Sequence, residues 1–258
     1  MSEARLIELK TVADRVGGLD LVLIGADDPE AMLRHTEECR TRAIPFAADF
    51  SQQIARMEGE EIRTLLDGAT YLFSNEYEKG LIESKTGWSD AEILSRVGHR
   101  VTTLGPGGVR IEATGQDPIE VAVPAEEAKV EPTGVGDAFR AGFLSGLAWG
   151  VSLERAAQVG CMLATLVIET VGTQEYELRR SDFMDRFTKA YGHEAATAGP
   201  RAPRLITRAG GPRTRCPGPP VAHPRTRARA SGTTPGCRAA PPRRPRGRSP
   251  CRRPGRPR

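Results

Sequence analysis

The chain has 258 residues and a formal charge of +4, a near-balance that joins two unlike parts. All 33 acidic residues lie at or before Glu194, against 20 basic ones, whereas the stretch from Arg201 onward holds 17 arginines with no lysine and no acid. An acidic body argues against a nucleic-acid-binding fold there. No apolar run reaches the length of a membrane span, and five cysteines without zinc spacing read as reduced thiols of a cytoplasmic protein.

Strand and helix signals alternate through the body. Leu21-Val22-Leu23-Ile24 is a continuous apolar run, as expected of a strand buried on both faces. Asp28 then suits an N-cap and Pro29 a first helical position, which predicts a helix to about Cys39. Ile44 to Ala48 is a second strand leading to Asp49, Glu60 to Leu66 a short helix, and Tyr71 to Phe73 a third strand, followed by Asn75 and a helix from about Glu76. Ser89-Asp90-Ala91-Glu92 has capping-box spacing and starts another helix. Arg100 to Leu104 is the next strand, Gly105-Pro106-Gly107-Gly108 a turn, and Val109 to Glu112 with Ile119 to Val123 an antiparallel edge pair. Three helices follow at roughly 136–149, 152–168 and 181–191; on the first, Ala138, Gly142 and Gly146 make a smooth face for close packing. This order implies an α/β fold with a mostly parallel sheet. Ligands of such sheets sit at the carboxyl ends of the strands, where Asp27, Asp49, Asn75 and Gly105 fall.

The stretch richest in chemistry is Glu131-Pro132-Thr133-Gly134-Val135-Gly136-Asp137-Ala138-Phe139. Glycines ahead of a helix let unpaired backbone N–H groups converge at its positive end, which suits an anion, most often phosphate. Asp137 stands beside that point. A carboxylate next to phosphate is electrostatically unfavourable unless it takes a proton from the hydroxyl that attacks phosphorus. The plainer readings are that Asn75 is an ordinary helix cap, Glu78 a solvated helix acid, Thr103 and Gly105 a common strand-to-turn step, and Asp49 and Asp27 turn residues. Cys161 reads as packing in a helix face.

With Gly142, this stretch resembles the signature of the PfkB-type carbohydrate kinases, which have the ribokinase-like fold. The segments Ile24 to Met32, His35 to Arg40, Ser84 to Ser89 and Gly172 to Glu175 add to the likeness, whose wording is most similar to adenosine kinases of the actinobacterial type. It covers residues 1 to about 195 and implies a three-layer α/β sandwich with a mostly parallel central sheet. It also implies ATP-dependent phosphoryl transfer to the primary hydroxyl of a nucleoside or sugar, adenosine foremost. Asp137 matches the family's catalytic base, and Gly134, Val135 and Gly136 its anion hole. Asn75 and Glu78 match an Asn-x-x-Glu element that helps place magnesium, Glu78 acting through water. Thr103, Gly105 and Gly108 match the region along the nucleotide. The resemblance further implies Mg²⁺, leaves room for a monovalent cation, and suggests a homodimer. Asp49 stands where many members have an acid or Asn near the phosphates, and Phe50 where most such members have proline next.

Residues 1–198 thus read as the C-terminal part of such a kinase domain, lacking the N-terminal strands and lid. No Gly-Gly-Asn acceptor segment occurs, so an open sheet edge and weak or absent kinase activity are expected of this chain alone. Residues 199–258, rich in Arg, Pro, Gly and Ala, read as disordered. They are either a nucleic-acid-binding tail or, the plainer reading, an out-of-frame translation of G/C-rich DNA. The alternatives for the whole are a ribose- or fructose-type sugar kinase and a non-catalytic protein whose tail binds nucleic acid or an acidic partner.

Overall fold

A computed structural model describes residues 3–197; the tail expected to be disordered, 199–258, lies outside the described residues. A short 3-10 turn (Glu3–Leu6) and helix α1 (Leu9–Val16) come first, neither of them among the elements expected above. Strand β1 (Val22–Ile24) leads to α2 (Pro29–Thr41), and Asp28 Oδ1 accepts the Glu30 and Ala31 amides as an N-cap should. Then come β2 (Phe46–Asp49), α3 (Gly59–Leu66), β3 (Tyr71–Asn75), α4 (Glu76–Thr86), α5 (Asp90–Arg96) and β4 (His99–Thr103). Ser89 and Glu92 form the anticipated capping box. Antiparallel β5 (Val109–Glu112) and β6 (Ile119–Val121) precede α6 (Val135–Ala148), α7 (Leu153–Ile168), α8 (Arg180–Tyr191) and α9 (His193–Thr197).

The six strands lie in chain order β1 to β6, with β1 to β4 parallel and β5 and β6 antiparallel. Parallel strands added one after another in the same direction put all their right-handed crossovers on one face. Accordingly α2 to α5 pack on that face, where Ile24, Phe46, Ala48 and Leu72 meet Met32, Ile62, Leu65, Ile82 and Ile93. The alternate strand residues Ala47, Tyr71, Phe73 and Val101 point to the opposite face. There they meet Phe139, Phe143, Ala157 and Cys161 of α6 and α7.

The glycine face of α6 is used as its spacing suggests. A Cβ on Gly142 would stand 2.8 Å from Gly160 Cα, and one on Gly146 2.7 Å from Ala156 Cα, so the backbones of α6 and α7 touch directly. One expectation needs correcting. β1 is the outer strand of the sheet and Leu23 is 41% exposed, so its apolar run does not mark burial on both faces. Cys39 and Cys161 are buried free thiols that burial pushes up to about 11 and about 12, which leaves them unreactive. No helix among the described residues is long and apolar enough to cross a membrane.

Candidate active site

The parallel strands β2, β3 and β4 end at Asp49, Asn75 and Thr103, and the start of α6 lies over them. Between these ends is a cavity of about 150 Å³ lined by Ser51, Ser74, Asn75, Glu78, Thr103, Gly136, Phe139 and Arg140, with Phe73 and Val101 at its base. The Ser74 hydroxyl is buried there without a hydrogen-bond partner. A buried polar atom with no partner costs free energy, so this one invites a polar guest.

α6 begins at Gly134, whose φ of 81° is the left-handed conformation that glycine adopts without a Cβ penalty. Of the anion-hole amides expected, Val135 N–H is already engaged, donating to the Pro132 carbonyl at 3.3 Å. Gly134, Gly136 and Asp137 N–H have no acceptor among the described residues. Of the three amides expected, Gly134 and Gly136 thus remain without acceptors, Val135 does not, and Asp137 adds another. Gly136 lines the cavity; Gly134, Val135 and Asp137 adjoin it without lining it. The Asp137 side chain is 81% exposed and pairs with Arg140 at 2.6 Å.

Asn75 and Glu78 do come to the cavity, and they also satisfy the plainer reading. Asn75 Oδ1 accepts the Glu78 amide at 2.8 Å and Glu78 Oε2 accepts the Asn75 amide at 2.9 Å, a reciprocal cap on α4. Thr103 lines the cavity, but Gly105 and Gly108 do not. Gly108 has a separate, structural reason to be glycine, since its φ is 93° and a Cβ would stand 2.1 Å from the Val121 carbonyl oxygen.

Two residues matter more here than the sequence suggested. Asp49, a turn residue when taken alone and a position near the phosphates by the resemblance, is 4% exposed; it accepts from Ser51 N–H and Oγ and pairs through Oδ2 with Arg140 Nε at 2.8 Å. Burial raises its carboxyl above the usual range, opposed by the Arg140 charge. Ser51 holds a φ of 39°, an uncommon conformation for a non-glycine residue and one that gathers at functional sites. Arg140 was missed altogether. Its signal was a lone cation three residues after Asp137, on the same helix face.

Comparison with known proteins decides the family. Residues 2–179 match the profile described as pfkB family carbohydrate kinase. The chain belongs to that family. A nucleoside kinase of Methanocaldococcus jannaschii is 28% identical over 155 residues, 60% of this chain and 51% of that protein. An adenosine kinase of Saccharomyces cerevisiae is 27% identical over 171 residues, 61% of this chain and 49% of that one. The solved structure of Burkholderia thailandensis nucleoside kinase with inosine superposes at a TM-score of 0.64 and 34% identity, covering 67% of this chain and 57% of that chain. The chain thus spans about half the length of these relatives. The six-stranded α/β sheet is the ribokinase-like fold.

Proposed function

We propose that this chain carries the phosphate-handling half of an ATP-dependent nucleoside kinase, with adenosine as the first acceptor to test. The observation that carries the reading is the convergence at the start of α6: the Gly136 and Asp137 amides without acceptors, the Arg140 guanidinium, and a cavity holding the orphaned Ser74 hydroxyl. These groups suit an anion of phosphoryl size. The choice of acceptor class rests on the relatives, which are named nucleoside and adenosine kinases, one of them solved with inosine.

Asp137 is the general base, an exposed carboxylate beside the amides, able to take the proton from a primary hydroxyl. The amides of Gly134 and Gly136, with that of Asp137, meet charge on the transferred group; Val135 contributes backbone shape more than a free donor. Thr103 lies along the nucleotide, with Gly105 and Gly108 shaping the turn behind it. Bound ATP supplies the phosphoryl group, and bound magnesium balances its charge. The carboxylates fit that ion only in part. No cluster of three or more His, Cys, Asp or Glu side chains among the described residues could cage a metal. Magnesium instead keeps several waters and takes one or two carboxylates besides the phosphates. Glu78, whose Oε2 caps α4 while Oε1 has no bond, can act through such water, with Asn75 holding it in place.

The test pairs ATP binding by calorimetry with acceptor-dependent ADP formation, adenosine, inosine and ribose being run in parallel as acceptors. Asp137→Asn is expected to lower such phosphoryl transfer as the chain shows by about 10²–10⁴-fold without weakening ATP binding. Retained turnover would demote Asp137, and failure of the unaltered chain to bind ATP would remove the kinase reading.

A further inference from the structure

Among the described residues Arg140 is the only cation that lines the cavity, and its guanidinium is held at two points by unequal partners. Nε is paired with Asp49 Oδ2 at 2.8 Å, and Asp49 is 4% exposed. Nη2 donates to Asp137 Oδ1 at 2.6 Å, and that side chain is 81% exposed. Nη1 has no acceptor and lies 3.3 Å from where a Cβ on Gly136 would stand. The absent side chain of Gly136 is therefore the space that lets the guanidinium lie against the first turn of α6, beside the Gly136 and Asp137 amides.

The two contacts differ in strength. A buried ion pair is little screened, and breaking one side of it strands a charge. A pair whose acid is open to solvent contributes little. The inner contact is an anchor and the outer one is exchangeable. The outer contact also occupies Oδ1 of the carboxylate that must accept a proton.

Building on the kinase reading, we infer that Arg140 is a phosphate-binding residue that changes partners. In the empty site its outer edge rests on Asp137. When the terminal phosphate of the donor reaches the Gly136 and Asp137 amides, that edge moves onto a phosphate oxygen, a charge-assisted bond of the stronger kind. Asp49 keeps the guanidinium in place throughout. Donor binding and release of the Asp137 carboxylate are then one event, so the base becomes competent only once there is a phosphoryl group to transfer.

The experiment is a double-mutant cycle read by calorimetry on the whole chain at fixed ionic strength, with inorganic tripolyphosphate as probe and ATP alongside. Arg140→Gln is expected to weaken tripolyphosphate binding by about tenfold or more. Asp137→Asn is expected to tighten it, because the guanidinium is freed as well as a repulsive charge removed. In the Arg140→Gln background only the repulsion is relieved, so the tightening there should be at least about threefold smaller, as coupling between contacting residues requires. Because Arg140→Gln leaves Asp49 buried and unpaired, the double variant Asp49→Asn/Arg140→Gln, which removes both charges of that pair, must show the same loss of affinity. Equal tightening by Asp137→Asn in both backgrounds, or binding indifferent to Arg140, overturns the exchange and leaves the kinase reading standing. An unaltered chain that binds neither tripolyphosphate nor ATP overturns both.

Discussion

Gly142 and Gly80 are both helical glycines, and replacing each by alanine is the same chemical change with opposite expected outcomes. Gly80 sits inside α4, exposed, and a Cβ there would meet nothing within 4 Å. Alanine should stabilise the chain by about 0.5–1 kcal/mol through helix propensity alone. Gly142 faces α7, where a Cβ would stand 2.8 Å from Gly160 Cα, 2.9 Å from the Val159 carbonyl oxygen and 3.0 Å from Gly160 N. Carbon atoms rest about 3.5–4.0 Å apart, so α6 must withdraw by roughly 0.7–1.2 Å, and all three of these neighbours are backbone atoms that no rotamer change can clear. Overpacking costs about 1–3 kcal/mol, and three simultaneous backbone conflicts place this case at the upper end. After the propensity gain, a net loss of about 2 kcal/mol is expected. Urea denaturation followed by fluorescence of Trp88 and Trp149 measures both variants, and Trp149 caps α6 itself. Gly142→Ala as stable as the unaltered chain, or shifted in the same direction as Gly80→Ala, would refute the direct-contact account of α6 and α7. The same withdrawal would move Gly136, Asp137 and Arg140, which ride on α6, so the variant should also weaken ATP binding.

Gly134→Ala places a side chain at a φ of 81° and its Cβ 2.8 Å from Thr173 Cγ2; a loss of about 1–2 kcal/mol from the left-handed conformation alone should appear as a lower midpoint in thermal unfolding. Asp90→Asn probes a second network, in which Arg100, 1% exposed, pairs with Asp90 at 2.7 Å and Glu112 at 2.7 Å. Arg100, with Lys79 behind it, holds the Asp90 carboxyl well below the usual carboxylate range. A lowered folded value means stabilisation present above the unfolded carboxylate value of about 4 and lost as pH falls through the folded one. The unaltered chain should therefore exceed the variant by about 1–2 kcal/mol near neutrality, a figure reduced because Asp90 is half exposed. The gap should close only below about pH 4 in urea titrations.

Local chemistry was legible in the sequence where it is complete within a few residues. The Asp28-Pro29 start of α2, the Ser89–Glu92 box and the Gly134 turn all formed because cap and amide are neighbours along the chain. The mostly parallel sheet was nearly as legible, since each of β1, β2 and β3 was followed by a helix long enough to cross back. The edge position of β1 agrees with the open sheet edge expected of this chain, yet its own residues gave no sign of it. An apolar run records that side chains avoid water, not how many strands flank it, and Leu21 to Ile24 reads the same at an edge as at the centre. α1 escaped although Leu9, Val12, Ala13 and Val16 recur at helical spacing, because a run of eight residues is too short for periodicity alone to decide.

The site divides along the same line. Asn75, Glu78 and Gly136 could be placed because each belongs to a motif closed over three or four residues. Asp49 and Arg140 could not, since their bond joins the end of β2 to α6 and only the folded sheet brings them within 2.8 Å. Yet half of that pair was available. Ala138, Phe139, Ala141, Gly142, Phe143 and Leu144 make α6 an apolar helix, and Arg140 is its one cation, a single turn from Asp137. A charge in such a helix is costly unless it meets an opposite one. Asp137 on the same face was the visible partner, but an exposed acid leaves the inner edge of a half-sunk guanidinium without an acceptor. A second carboxylate had to come from a strand end beneath α6. Of the acids at those ends, Asp49 was the one in a wholly buried strand, and so the one that itself required a cation.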